Sequence, residues 1–216
     1  MNTKFIAGIL FAGCLNAGYA SAYIIDAEYG DLSGNGRIDF DSHATGGPAT
    51  NYNGIIDLDG ASFAEQFLGQ SLSVLGTSDV LSGTPTGAPT LVSGVAGENL
   101  VVLDDPSFGT VLGGLGPEGF AAGFDAYGEG AVAILFDNEQ AEFGFGYVGG
   151  DLGLAVIEFW GSDGSLLGTF DDVSVPLELA IGFQSLDDSG ALLNNIAGVS
   201  IYNTDKGGIG FDNIIF

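Results

Sequence analysis

Short apolar runs, separated by glycine-rich polar segments, recur along the whole chain. Glu142–Val148 alternates aromatic residues with glycine, which predicts a strand with one aromatic face. Leu100–Leu103 and Ala131–Phe136 are apolar throughout, as expected for strands buried on both faces. Similar runs lie at 24–28, 37–41, 154–160, 165–170, 177–183, 197–202 and 208–216. So many short strands without helical crossovers predict one all-β domain, an antiparallel β-sandwich.

Two local patterns interrupt this series. Asn35-Gly36 is typical of a two-residue turn, and it predicts a hairpin between strands at 24–28 and 37–41. Ala61–Phe67 predicts a helix of one or two turns, because Ser62 and Glu65 have capping-box spacing and two phenylalanines share a helical face.

The first 22 residues have the pattern of a secretory signal peptide. Lys4 precedes the apolar stretch Phe5–Phe11, and Ala20-Ser21-Ala22 has the small residues of a cleavage site. Cleavage after Ala22 would leave residues 23–216 as a single domain without cysteine or a second apolar span. Acylation at Cys14 after cleavage at a lipobox is the alternative. Either way the expected location is secreted, extracellular or periplasmic.

Composition adds a large charge imbalance. The chain has 28 acidic residues against three Lys and Arg, a net charge of −25 at pH 7. This excludes nucleic acid as an expected partner and disfavours anionic membranes, because both are bound through basic side chains. The acids fit either a hydrated surface adapted to salt or a set in which some bind cations. The oligomeric state is left open.

The segment Asp31–Asp39 resembles the start of a calcium loop. Asp31, Ser33 and Asn35 supply oxygens at positions 1, 3 and 5, Gly36 stands at position 6, and Asp39 stands at position 9. The usual acid of position 12 is replaced by Ser42, while Asp41 comes one residue early. A structural Ca²⁺ is one interpretation of this segment. A polar hairpin without metal is the other.

The second half of the chain resembles the jelly-roll domains of secreted bacterial proteins of the PEP-CTERM type. The resemblance rests on "AVIEFWGSDGSLLGTF", on "LAIGFQSLDDSGALLNNIAGVSIYN" and on "GGIGFDNIIF"; the Val-Pro-Glu-Pro sorting tail is absent. It implies a jelly-roll fold like that of carbohydrate-binding modules, in an exported protein. It also implies a calcium between the first and last strands, with Asp39 or Asp41 and Asp212 as ligands.

Polysaccharide recognition would use aromatic faces beside carboxylates or amides. Trp160 shares a strand face with Glu158, and Tyr52 is flanked by two asparagines in a predicted loop. A tryptophan packed at the sheet margin is the alternative. His43 is the sole histidine and there is no Gly-x-Ser-x-Gly motif, so catalysis is not expected. The sequence favours a non-enzymatic module binding polysaccharide or another matrix component; a structural or adhesive envelope or biofilm protein is the second candidate.

Overall fold

The computed structural model describes residues 22–43, 48–106, 109–150, 153–173 and 180–216. Apart from Ala22, the predicted signal segment, with Cys14, lies outside the described residues. The strands within these ranges are β1 (Tyr23–Ala27), β2 (Arg37–Ile38), β3 (Ala49–Tyr52), β4 (Ile56–Leu58), β5 (Ala61–Ala64), β6 (Gln66–Phe67), β7 (Ser71–Leu75), β8 (Ser78–Ser82), β9 (Leu91–Val92), β10 (Leu100–Asp105), β11 (Gly109–Leu115), β12 (Tyr127–Gly130), β13 (Val132–Gln140), β14 (Glu142–Gly149), β15 (Ala155–Trp160), β16 (Leu166–Val173), β17 (Ala180–Leu186), β18 (Ile196–Asn203) and β19 (Ile209–Ile215). Short 3₁₀ segments cover Tyr29–Asp31, Asp41–His43 and Phe120–Asp125. None of the helices in these ranges combines the length and apolar character that a bilayer crossing requires.

Two antiparallel sheets form the body of the protein. Sheet A has the order β1-β17-β14-β19-β11-β10-β3, with β12 beside β11 and β2 beside β19. Sheet B has the order β16-β15-β18-β13-β5-β4. Two small ribbons, β6 with β9 and β7 with β8, lie outside these sheets.

The connections give jelly-roll topology. Four antiparallel pairs are nested in the chain, β15 with β16, β14 with β17, β13 with β18 and β11 with β19. Successive pairs of this series alternate between sheet B and sheet A, so the chain wraps around the core as one long folded ribbon. The predicted fold class, an antiparallel jelly-roll β-sandwich, is therefore confirmed.

The core between the sheets is built from alternate residues of each strand. In β14 the aromatic side chains Phe143, Phe145 and Tyr147 face inward, and in β15 Ile157 and Phe159 do so. The ring centroids of Phe143 and Phe159 lie 6.0 Å apart and join sheet A to sheet B. The period-2 alternation in the sequence thus identified the inward faces of these strands.

The predicted helix at Ala61–Phe67 is wrong. Ala61–Ala64 forms β5, which lies between β4 and β13 in sheet B, and Gln66–Phe67 forms β6. Phe63 packs in the main core, and Phe67 packs in a separate cluster on the other side of the sheet. A helix would place both rings on one face, so burial in two different clusters decides for the extended chain.

The predicted hairpin at Asn35-Gly36 is also wrong. The strand before the turn pairs with β17, and β2 after the turn pairs with β19. The backbone of Gly36 instead exchanges N–H···O bonds of 2.8 and 3.2 Å with Phe216. A Cβ on Gly36 would collide with the Phe216 ring, so the glycine is required by this close approach and not by a two-residue turn.

Residues 65–99, here called the covering segment, leave sheet B after β5 and fold back over its outer face. Phe67, fully buried, and Leu91 of this segment pack on Ala133 and Trp160. Strand β8 of the same segment contacts β18 and β12. Because of this additional layer, the outer face of sheet B is not open to solvent around β15 and β18.

Candidate ligand groove and carboxylate clusters

Trp160 is not available for stacking on a sugar ring. Its side chain is 1% exposed, beneath the covering segment. Its indole Nε1 donates a hydrogen bond of 2.9 Å to Ser200 Oγ, which in turn lies 3.2 Å from Gln70 Oε1. The prediction that this strand face is partly exposed to solvent is therefore wrong. The covering segment lies over the face, and the pattern of residues along the strand does not reveal that segment. The competing interpretation, a packed tryptophan, is the one observed.

Glu158 shares that covered face, as the strand alternation predicts. Its Oε2 accepts a hydrogen bond of 3.4 Å from Gln70 Nε2. Burial raises the pKa of Glu158 from 4.5 to about 7. The carboxyl therefore exchanges its proton near neutral pH, within a polar network under the covering segment.

Tyr52 lies at the end of β3 and not in a loop. Its ring is half-buried and packs against the main core, while its hydroxyl lies 3.5 Å from the carbonyl of His43. This placement leaves little of the ring for a ligand. The expectation that Tyr52 binds a sugar therefore finds no support in its position.

The predicted calcium ligands divide into separate groups. Asp31 is exposed at the end of a 3₁₀ turn. Ser33 donates from both N and Oγ to Glu142 Oε2, each at 2.9 Å, and lines with Asn35 a polar pocket of about 360 Å³. Asp39 instead lines smaller pockets on the Arg37 side. The segment therefore does not wrap around one centre as a calcium loop does.

Of the three aspartates that the resemblance implied, Asp212 is affected by the charges of the other two. Burial, and then the charges of Asp41 and Asp39, raise the pKa of Asp212, while backbone hydrogen bonds from Asn213 and Phe40 partly offset this. Asp212 is 8% exposed, and its Oδ1 has no hydrogen-bond partner among the described residues. A buried carboxylate oxygen without a partner is unfavourable unless it is protonated or bound to a cation. In the described ranges, no group of three or more acidic, histidine or cysteine side chains is arranged so that it could hold a metal ion.

A shallow groove of about 170 Å³ lies on the outer face of sheet A. Leu103 and Val111 line it; they alternate with the residues of β10 and β11 that enter the core. At the side stand Phe124, which is 68% exposed, and Tyr127, with their ring centroids 5.4 Å apart. Asp105 adds a carboxylate to the lining.

Glycine forms much of the groove floor. Gly210 of β19 lies between Val111 and Val148, and a Cβ at this position would come within 2.8 Å of both side chains. Phe120 stacks on Tyr127 with centroids 5.4 Å apart and so helps to hold that ring in place. An exposed ring above a smooth apolar floor, beside a carboxylate, has the elements of a sugar-binding surface.

Sequence reasoning missed this groove and also a cluster of buried carboxylates around Glu65 and Asp79. Phe120, Phe124 and Tyr127, three aromatic residues within a glycine-rich stretch, are the signal that could have led to the groove but was not used. The carboxylate cluster has no local signal, because its members come from distant parts of the chain.

Comparison with known proteins adds little. No family model and no curated protein matches the chain. Among solved structures, a match is found to the enzymatically active domain of tailspike protein 4 of bacteriophage CBA120, with 18% identity and a TM-score of 0.29. The match covers 54% of this chain and 17% of the tailspike chain. At that score the similarity carries no functional argument.

Proposed function

We propose that this protein is an exported, non-enzymatic β-sandwich module that binds polysaccharide or a similar component of the extracellular matrix. The observation that carries the proposal is the ring of Phe124, 68% exposed beside Tyr127 at the edge of the sheet A groove. Aromatic rings of this kind stack on the apolar faces of sugar rings, and carboxylates accept hydrogen bonds from hydroxyl groups. Trp160, Glu158 and Tyr52 are not part of this site.

The charge of the protein narrows the class of polysaccharide. The net charge is −25, and Asp105 lines the groove itself. An anionic polymer would be repelled at close range, where salt screens incompletely. The ligand is therefore a neutral or cationic polysaccharide.

The non-enzymatic part of the proposal rests on the only histidine of the sequence. His43 Nδ1 lies 3.1 Å from the Oγ of the adjacent Ser42, and the ring packs edge-on against Phe40. A contact between neighbouring residues of a 3₁₀ turn differs from a catalytic pair, in which remote segments hold the base against the nucleophile.

Calcium remains part of the proposal as a stabilising ion near Asp212. The unpartnered Oδ1 of Asp212 and the nearby charges of Asp39 and Asp41 support it. Asp31, Ser33 and Asn35 are not included, since Ser33 is engaged by Glu142. EDTA should lower the melting temperature and Ca²⁺ should restore it, at matched ionic strength.

A glycan array followed by titration calorimetry tests whether the groove binds polysaccharide. We expect Phe124→Ala to weaken binding of the best neutral glycan by about tenfold, the value of one stacking contact. Tyr23→Ala is the matched control, because Tyr23 is also a partly exposed aromatic residue (44%) but lies on β1, an edge strand of sheet A that does not line the groove. Equal affinity of Phe124→Ala and the wild type would refute the site.

A structural or adhesive role is the second candidate, and the β7–β8 ribbon favours it. Val74 and Leu75 at the end of β7 are 60% and 62% exposed. Exposed apolar side chains on a two-stranded ribbon suit strand-to-strand association. Concentration-dependent sedimentation that disappears in Val74→Ser, without any glycan binding, would favour this role over the groove.

A further inference from the structure

The polar pocket of about 360 Å³ that Ser33 lines is separate from the groove. It lies between the segment before β2, the turn from β13 to β14 and the loop before β18. Glu142, at the beginning of β14, lines this pocket, whereas Val148 and Gly149 at the end of the same strand line the groove. A volume of this size is within the range of small-molecule sites in proteins.

Glu142 provides the pocket with a fixed, charged hydrogen-bond acceptor. Its side chain is 5% exposed. Besides the two bonds from Ser33 to Oε2, its Oε1 accepts a hydrogen bond of 2.8 Å from Gln184 Nε2. Burial raises the pKa of Glu142, but the hydrogen bonds from Gln184 and Ser33 outweigh this effect and hold the pKa below its usual value. A carboxylate oxygen can accept more than one hydrogen bond, so Oε1 retains capacity for a ligand.

Two asparagine side chains at the pocket have no partner within the described ranges. Asn35 and Asn194 are both exposed, and both line the pocket. Neither side-chain amide forms a hydrogen bond to another described residue. Each amide therefore offers two N–H donors and one carbonyl acceptor to a ligand.

The lining also restricts the charge of a ligand. None of the described residues around the pocket is Lys, Arg or His, so an anionic ligand would meet the Glu142 carboxylate without compensation. Leu192, which is 48% exposed, adds an apolar contact. A sugar fits these features, because its hydroxyl groups both donate and accept hydrogen bonds and its C–H groups form an apolar face.

We propose that this pocket, here called the amide pocket, is a second sugar-binding site that takes one neutral sugar unit through Asn35, Asn194 and Glu142. The choice of a sugar rests on the proposed function. The amide pocket adds to that function a site with its own hydrogen-bonding groups, whereas the groove offers mainly an aromatic and apolar surface.

The amide pocket and the groove open on the same face of sheet A. Glu142 and Val148 alternate with the residues of β14 that enter the core, so both project outward, and the strand rise places them about 20 Å apart. Leu32 and Tyr29 lie over Gly144 between them, which keeps the two sites separate. A polysaccharide that reaches both sites therefore binds more tightly than it would to either site alone.

NMR of the isotope-labelled protein tests the amide pocket, with glucose, galactose, mannose and N-acetylglucosamine as probes. We expect at least one of these sugars to shift the side-chain amide signals of Asn35 and Asn194 to saturation. Asn35→Ala and Asn194→Ala should each weaken this binding by about fivefold, the value of one hydrogen bond. Both positions are exposed, so the fold should tolerate the change.

Asn138→Ala is the matched control, since Asn138 is an exposed asparagine of β13 that does not line the pocket, and it should bind as the wild type does. The proposal is overturned if none of the four sugars shifts the two asparagine signals to saturation. Equal sugar affinity of the wild type and both pocket variants would overturn it as well.

Phe124→Ala separates the amide pocket from the groove. This variant should leave the sugar-dependent shifts of Asn35 and Asn194 unchanged. If the groove does not bind glycan, Phe124→Ala has no effect on binding of the best neutral glycan of the array, while Asn194→Ala still weakens it. An effect of Phe124→Ala without any effect of Asn194→Ala would instead overturn the amide pocket and leave the groove.

Discussion

The carboxyl of Glu158 should make the protein less stable as the pH rises. Burial raises the pKa of this group from 4.5 to about 7 in the folded protein. A carboxyl with a raised pKa holds its proton more tightly in the folded than in the unfolded chain. Its favourable contribution is therefore complete below pH 4.5 and is lost as the pH rises through about 7.

The size of the effect follows from proton linkage. One proton released on unfolding changes the free energy of unfolding by about 1.4 kcal/mol per pH unit within that window. Over the whole pH range between the two pKa values of Glu158, the free energy of unfolding then falls by at most about 3 kcal/mol. This is a substantial part of the stability of a typical domain. Glu158→Gln has no proton to lose and keeps a partner for Gln70, so its stability relative to the wild type should increase steadily with pH.

Urea unfolding at a series of pH values measures this difference. Trp160 is the only tryptophan and is buried, so its fluorescence reports unfolding directly. Glu139→Gln, an exposed acid in the same sheet, is the control and should follow the wild type at every pH. The reasoning is refuted if Glu158→Gln and the wild type show parallel stability profiles between acid and neutral pH.

Three further substitutions have clear expectations. Gly36→Ala should lower the free energy of unfolding by about 1–3 kcal/mol, because its Cβ would collide with the ring of Phe216; an unchanged thermal melt would contradict that packing. Trp160→Phe should lower the free energy of unfolding by about 1 kcal/mol or more, because the hydrogen bond to Ser200 is lost, and should leave glycan affinity unchanged. A loss of glycan affinity would show that Trp160 takes part in binding. Asp212→Asn should raise the melting temperature in EDTA, because it removes a buried charge that neighbouring aspartates repel, and should reduce stabilisation by Ca²⁺; calorimetric scans that show neither change would exclude a cation there.

The strands were predictable wherever local pattern and burial agree. The predicted strand at 154–160 corresponds to β15 and that at 142–148 to β14. The first is a short run that is apolar except for Glu158, and the second alternates aromatic residues with glycine. The predicted run 177–183 falls partly outside the described residues, and β17 begins at Ala180. Fold class followed from the number of such runs together with the resemblance.

The errors arise where distant segments determine the local structure. The Asn35-Gly36 turn pattern was overridden by packing against Phe216, and the capping-box pattern at Ser62 was overridden by pairing with β13. Trp160 was placed on the correct face of its strand, but the cover over that face comes from Phe67 and Leu91, which lie far earlier in the chain. Spacing along one strand contains no information about such a cover.

The position of β19 has a consequence for how the chain folds. This last described strand lies in the middle of sheet A, between β14 and β11, so most of the sheet precedes it in synthesis. Until β19 is synthesised, β14 and β11 each have an unpaired edge. The pairing of β11 with β19, which joins residues about 100 positions apart, cannot form before then. We therefore expect slow folding that begins only after most of the chain is available, and intermediates in which the high negative charge limits association through the open edges.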